Sequence, residues 1–125
     1  MRLLWIAIIA FGCGASEGLQ VERIGNKELI QLLKNEEVQL IDIRTPEEVS
    51  FGIIDKAIVI DFYDPKFESK VNMLSKDKPT AIYCAAGGRS AKASQTFVSL
   101  GFTEIYDLKA GFRGWRGEGN PVVVQ

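Results

Sequence analysis

The chain has 125 residues, 46% hydrophobic and 25% charged, the make-up of an ordinary globular domain with one core. Its 15 basic and 16 acidic residues give a formal charge of -1, so the positive excess that grips phosphate backbones is missing and no nucleic-acid partner is expected. Histidine is absent, which excludes histidine triads, histidine-ligated metals and a Cys–His nucleophile pair within the chain. No metal or cofactor is expected, and any nucleophile must be activated by other means.

In chain order, Met1 and Arg2 make a short positive start, residues 3–11 are an uncharged apolar run, and Gly12, Cys13, Gly14, Ala15 and Ser16 follow. The run is too short to span a bilayer as a helix, which needs roughly 20 apolar residues. A basic start, a short apolar stretch and small residues together form the pattern of a secretory signal peptide. Its terminal cysteine resembles the lipobox of bacterial lipoproteins, although Ala10 and Phe11 depart from the residues favoured there. That resemblance implies lipidation of Cys13, membrane attachment, and residence in the periplasm or cell envelope. A plain cleaved signal and an uncleaved anchor are the alternatives. The expected organisation is an export segment and tether over 1–19 and one domain over 20–125. Cys84 then has no partner cysteine in the chain, so its thiol is either buried and inert or exposed and used.

Residues 20–24 read as a first short strand. Asn26 is the expected N-cap of a helix whose apolar face is Leu29, Ile30, Leu32 and Leu33. Residues 38–43 form an apolar run before Pro46, suited to a strand buried on both sides. A short helix with proline in its first turn is expected over 46–51. Another buried strand follows over 57–62, and then a helix over 65–74 with Phe67, Val71 and Leu74 on one side. Residues 80–84 are strand-like. Ala93, Phe97 and Leu100 give 90–100 a helical face, which Gly101 ends. A last strand is expected over 103–108, and a turn or short helix around Trp115 over 111–116. Strands alternating with helices predict an α/β domain with a mainly parallel central sheet.

The informative stretch is Cys84-Ala85-Ala86-Gly87-Gly88-Arg89-Ser90, between a predicted strand and a predicted helix. Ligands of parallel sheets sit beyond the carboxyl ends of the strands, where an incoming helix presents unpaired N–H groups and partial positive charge. A thiolate in that place is stabilised without histidine. Two small residues and two glycines let successive N–H groups converge into an anion site, and Arg89 adds a charge at the rim.

Three separated motifs resemble the rhodanese family over about 100 residues, from Val21 to near Val123. Leu40-Ile41-Asp42-Ile43-Arg44 with Glu48 and Gly52 is similar to the early aspartate–arginine motif, Cys84 to Ser90 to the active-site loop, and Gly111 to Trp115 to the C-terminal glycine–tryptophan motif. The resemblance implies a three-layer α/β fold with helices on both faces of the sheet, and a sulfurtransferase whose catalytic residue is Cys84. Cys84 takes sulfane sulfur from thiosulfate or a persulfide donor and passes it to a thiol or cyanide. Ala85, Ala86, Gly87, Gly88, Arg89 and Ser90 are the implied substrate-binding residues, with Asp42 and Arg44 supporting them from behind. Six residues from Cys84 through Arg89 match the loop length of sulfur-transferring members, whereas phosphatase and arsenate-reducing relatives carry one more.

Two departures bear on the site. Where many relatives have Gly-His-Ile-Pro-Gly-Ala, this chain has Gly52-Ile53-Ile54-Asp55-Lys56-Ala57, which predicts an altered turn. Ala110 replaces the first of two glycines before Phe112. Asp42, Arg44 and Glu48 are expected to form one structural charge cluster, and Trp115 a core or pocket wall. A non-catalytic binding module and a dedicated persulfide carrier or redox partner are the rival functions.

Overall fold

The computed structural model describes residues 20–125; the predicted export segment and Cys13 lie outside the described residues. Five strands form one parallel sheet in the order β1-β5-β4-β2-β3. They are β1 (Val21–Ile24), β2 (Gln39–Asp42), β3 (Ile58–Val59), β4 (Thr80–Tyr83) and β5 (Ile105–Leu108). The helices are α1 (Asn26–Leu32), α2 (Pro46–Val49), α3 (Phe67–Val71), α4 (Gly88–Ser99) and α5 (Gly111–Gly117).

Alternation along the strands divides the core into two layers. Ile41, Ile82 and Cys84 join Phe67 and Val71 of α3 and Ala93 and Phe97 of α4 in one cluster. Leu40, Ala81 and Tyr83 join Leu29 of α1 and Phe112 and Trp115 of α5 in the other. The result is the expected three-layer α/β fold, with helices on both faces. After β2 the chain leaves toward β3, and after β4 it leaves toward β5, so the carboxyl ends of these neighbouring strands flank a crevice of the kind where such sheets bind ligands.

Two local readings differ from the structure beyond small shifts of element ends. Gly25, not Asn26, caps α1, and its N–H donates to Glu28 Oε1 at 2.7 Å. Asn26 is instead buried and donates from Nδ2 to Gly114 O and Glu118 Oε1, tying α1 to α5. The predicted buried strand over 57–62 is a two-residue edge strand whose Ile58 and Val59 are both exposed, because β3 pairs only with β2. Ala110 fits without strain at φ -77, while the left-handed conformation falls on Gly111 at φ 65.

The altered turn after Gly52 keeps a demanding geometry. Ala57 N–H closes it onto Ile54 O at 3.1 Å, and Lys56, exposed, adopts φ 70. Lys56 stands where the family motif has glycine, so a side-chain-bearing residue occupies a left-handed position. Such a conformation costs about 1–2 kcal/mol, partly offset by the entropy a glycine would lose. Lys56→Gly is therefore expected to stabilise the domain by about 0.5–1 kcal/mol in urea unfolding, and a destabilised variant would refute the strain.

Candidate active site

Cys84 follows the last residue of β4, the middle strand, and is 1% exposed. Its Sγ accepts the Gly87 N–H at 3.1 Å and the Ser90 N–H at 3.4 Å, with Ser90 Oγ at 3.6 Å. Gly87 is the N-cap of α4 and has no side chain to cap it, so the sulfur takes the place of a capping oxygen. Negative charge on sulfur is favoured at the positive end of this 12-residue helix. Burial pushes the Cys84 thiol up, but hydrogen bonding at Ser90, and then by the Ala86 and Gly87 N–H groups, prevails and lowers it.

Two glycines make the loop possible. Gly87 has φ 97, and a Cβ there would meet Lys109 O at 2.4 Å. Gly111 has φ 65, and a Cβ there would meet Ala85 O at 2.5 Å. Close approach at Gly111 lets the start of α5 hold the loop from outside, with Phe112 N–H donating to Cys84 O at 2.8 Å and Arg113 N–H to Ala85 O at 3.0 Å. Ala86 and Gly88 stay exposed, Ala85 is buried, and Ser90 is buried beside the sulfur.

The charged residues divide differently from the expected single cluster. Asp42 and Arg44 form one buried pair, with Arg44 Nε on Asp42 Oδ1 at 3.0 Å and Nη2 on Oδ2 at 2.8 Å. Arg44 reaches Glu48 only through its backbone, donating from Nη1 to the carbonyl at 3.3 Å. The Glu48 side chain turns to the loop and binds Arg89, Oε1 to Nη1 at 2.8 Å and Oε2 to Nη2 at 2.9 Å. Hydrogen bonding from Arg89, with further bonds from Thr45, outweighs burial and holds the Glu48 carboxyl at about 2. The pair thus stays ionised in neutral solution and bridges the crevice between α2 and α4. Arg89 occupies the rim as expected, but its charge is matched by Glu48, so the amides and the helix end supply the field at the sulfur.

Glu48, expected only in a structural cluster, reaches the loop through Arg89, and Asp107 is a site residue that the motifs did not include. Asp107, 1% exposed on β5, accepts from Ser90 Oγ at 2.5 Å and from Arg23 Nε at 3.0 Å. Its signal in the sequence was a carboxylate inside an otherwise apolar strand. Trp115 is buried in the opposite layer and lines a groove of about 660 Å³ with Ile30, Leu33, Leu40 and Ile54, which shares no residue with the Cys84 loop. Among the described residues no group of acidic or sulfur side chains is arranged to hold a metal ion, and no helix is long and apolar enough to cross a membrane.

Known proteins agree with this architecture. The model of the rhodanese-like domain matches residues 25–118. A sulfurtransferase of Allochromatium vinosum is 32% identical over 105 residues, covering 83% of this chain and 96% of that protein. The thiosulfate sulfurtransferase GlpE of Pseudomonas putida is 29% identical, covering 78% and 86%. The crystal structure of a rhodanese-related protein from Thermoplasma volcanium superimposes with a TM-score of 0.74 at 34% identity, covering 83% of this chain and 99% of that one. With its parallel sheet, its cysteine loop at the end of the middle strand and these relatives, the chain belongs to the rhodanese-like family.

Proposed function

We propose that the protein is a sulfurtransferase that carries sulfane sulfur as a Cys84 persulfide. The observation that carries this reading is the Cys84 sulfur seated on the Gly87 and Ser90 amides at the start of α4. The thiolate attacks the outer sulfur of thiosulfate, a new S–S bond forms, the S–SO₃ bond breaks, and sulfite departs with the electron pair. An acceptor thiolate or cyanide then attacks the outer sulfur, and Cys84 leaves again as thiolate. The loop amides favour the negative charge on the bound sulfur and on the departing sulfite. Relatives named as sulfurtransferases, one of them for thiosulfate, support the donor class. The short loop favours a small anion over a phosphoryl or arsenate group. Retention of the cysteine and its amide seat argues against a purely structural binding module.

Residues 1–19 serve in this reading as an export segment, with Cys13 as the lipidated first residue of an envelope protein. Intact-mass measurement of the natively expressed protein after thiosulfate treatment tests chemistry and processing together. One added sulfur atom, lost on incubation with cyanide, and a start at Cys13 carrying lipid are the expected results. An unchanged mass after thiosulfate would refute the donor, and an unprocessed N-terminus would refute the lipidated start at Cys13.

A further inference from the structure

Asp107 divides its carboxylate between two partners on different elements. Oδ2 meets Arg23 Nε from β1, and Oδ1 lies 2.5 Å from Ser90 Oγ on α4. Ser90 is fully buried, and its Oγ also lies 3.6 Å from Cys84 Sγ and 3.3 Å from Gly87 O. A serine hydroxyl has one hydrogen and two lone pairs. The carboxylate offers the shortest of these contacts and a charge-assisted bond, so it holds that hydrogen. Oγ is left facing Cys84 as an acceptor for the thiol S–H. Donation from the hydroxyl to the thiolate is withheld unless the hydrogen turns away from Asp107.

We propose that Asp107 is a positioning residue for sulfur transfer, holding the Ser90 hydroxyl hydrogen away from Cys84 so that the thiolate rests on backbone amides alone and stays a basic, strong nucleophile. The proposal rests on the reading of Cys84 as the nucleophile. Thiolate nucleophilicity falls as thiol acidity rises, with a Brønsted slope of about 0.4–0.5, so a sulfur that is activated but not oversolvated attacks its donor faster. The other groups facing this cluster are Arg23 from β1, the Lys109 carbonyl packed against Gly87, and Arg89 at the rim, whose charge Glu48 of α2 matches.

The test is the pH dependence of iodoacetamide labelling of the full chain carrying Cys13→Ser, which leaves Cys84 as the one cysteine. In Asp107→Asn, Arg23 has only donors and claims the amide oxygen, so the amide NH₂ faces Ser90 Oγ and the hydroxyl hydrogen is released to the sulfur. A negative charge near the sulfur is lost as well. The labelling midpoint is expected to fall by about one pH unit, and the plateau rate at high pH to fall about threefold, following that Brønsted slope. A merely structural Asp107 would instead loosen the amide seat, moving the midpoint up toward an ordinary thiol. An unmoved or raised midpoint therefore overturns the proposal. Ser90→Ala supplies an independent check, because a hydroxyl that does not donate to the thiolate can be removed without raising the midpoint. A rise of about one unit in that variant would overturn the proposal too. Alkylation needs no sulfur donor, so failure of the sulfur-transfer reading is recognised separately by the thiosulfate mass experiment.

Discussion

Cys84→Ala is expected to abolish sulfane transfer, lowering turnover by on the order of a thousandfold or more, while the domain stays folded. Alanine offers no sulfur for the S–S bond, and Cys84 is the free cysteine among the described residues. The stability cost is small by comparison. One buried sulfur is removed from the layer formed by Ile82, Ala93 and Phe97, a loss of about 1–2 kcal/mol. Against a typical total of about 5–15 kcal/mol, that leaves a folded protein. Thiocyanate formation from thiosulfate and cyanide reads the first effect, and thermal unfolding followed by circular dichroism reads the second. Residual turnover near the native rate in a folded variant would show that sulfur does not pass through Cys84. Arg89→Ala should behave differently. Because Glu48 matches the guanidinium, the Cys84 labelling midpoint should shift far less than one unit, and the effect should fall on donor affinity.

The strand and helix order was legible because each buried element announced itself by periodicity. Ala93 and Phe97 lie one helical turn apart and both are buried against the sheet, as their spacing implies. The Cys84 loop was equally legible, since small residues and glycines between a strand and a helix permit few geometries. Strand edges were not. Residues 57–62 are as apolar as the run ending at Asp42, yet Ile58 and Val59 are exposed while Leu40 and Ile41 are buried. The difference lies in the strand order, which places β3 at the edge and β2 inside. Long-range polar pairs were also out of reach. Asp107 meets Ser90 across 17 positions and Arg23 across 84, and local spacing carries no information on such partners. The short interval from Arg44 to Glu48 suggested one cluster, but α2 presents the Glu48 backbone to Arg44 and its side chain to Arg89.

Arg44→Leu is expected to destabilise the domain by about 3–5 kcal/mol, the range found when one partner of a buried ion pair is removed. Arg44 is 3% exposed and Asp42 is 0% exposed, so water cannot replace the lost partner. The guanidinium has further duties. Its Nη2 donates to Gly52 O at 2.7 Å, and its Cζ lies over the Phe112 ring, 3.9 Å from the ring centre. It thereby joins the end of β2 to the turn after α2 and to the start of α5. Phe112 in turn donates its N–H to Cys84 O. Loss of Arg44 should therefore loosen the loop as well as the core, slowing persulfide formation in whatever fraction remains folded. Lysine cannot make the two-pronged contact with Asp42 or stack as a planar group, so Arg44→Lys should recover only part of the loss. Asp42→Leu combined with Arg44→Leu should be less damaging than Arg44→Leu alone, because no buried charge is left unmatched. Urea unfolding of the three variants measures this. A loss below about 1 kcal/mol for Arg44→Leu, or a double variant weaker than the single, would show that the pair is not what holds β2, the Gly52 turn and α5 behind the Cys84 loop.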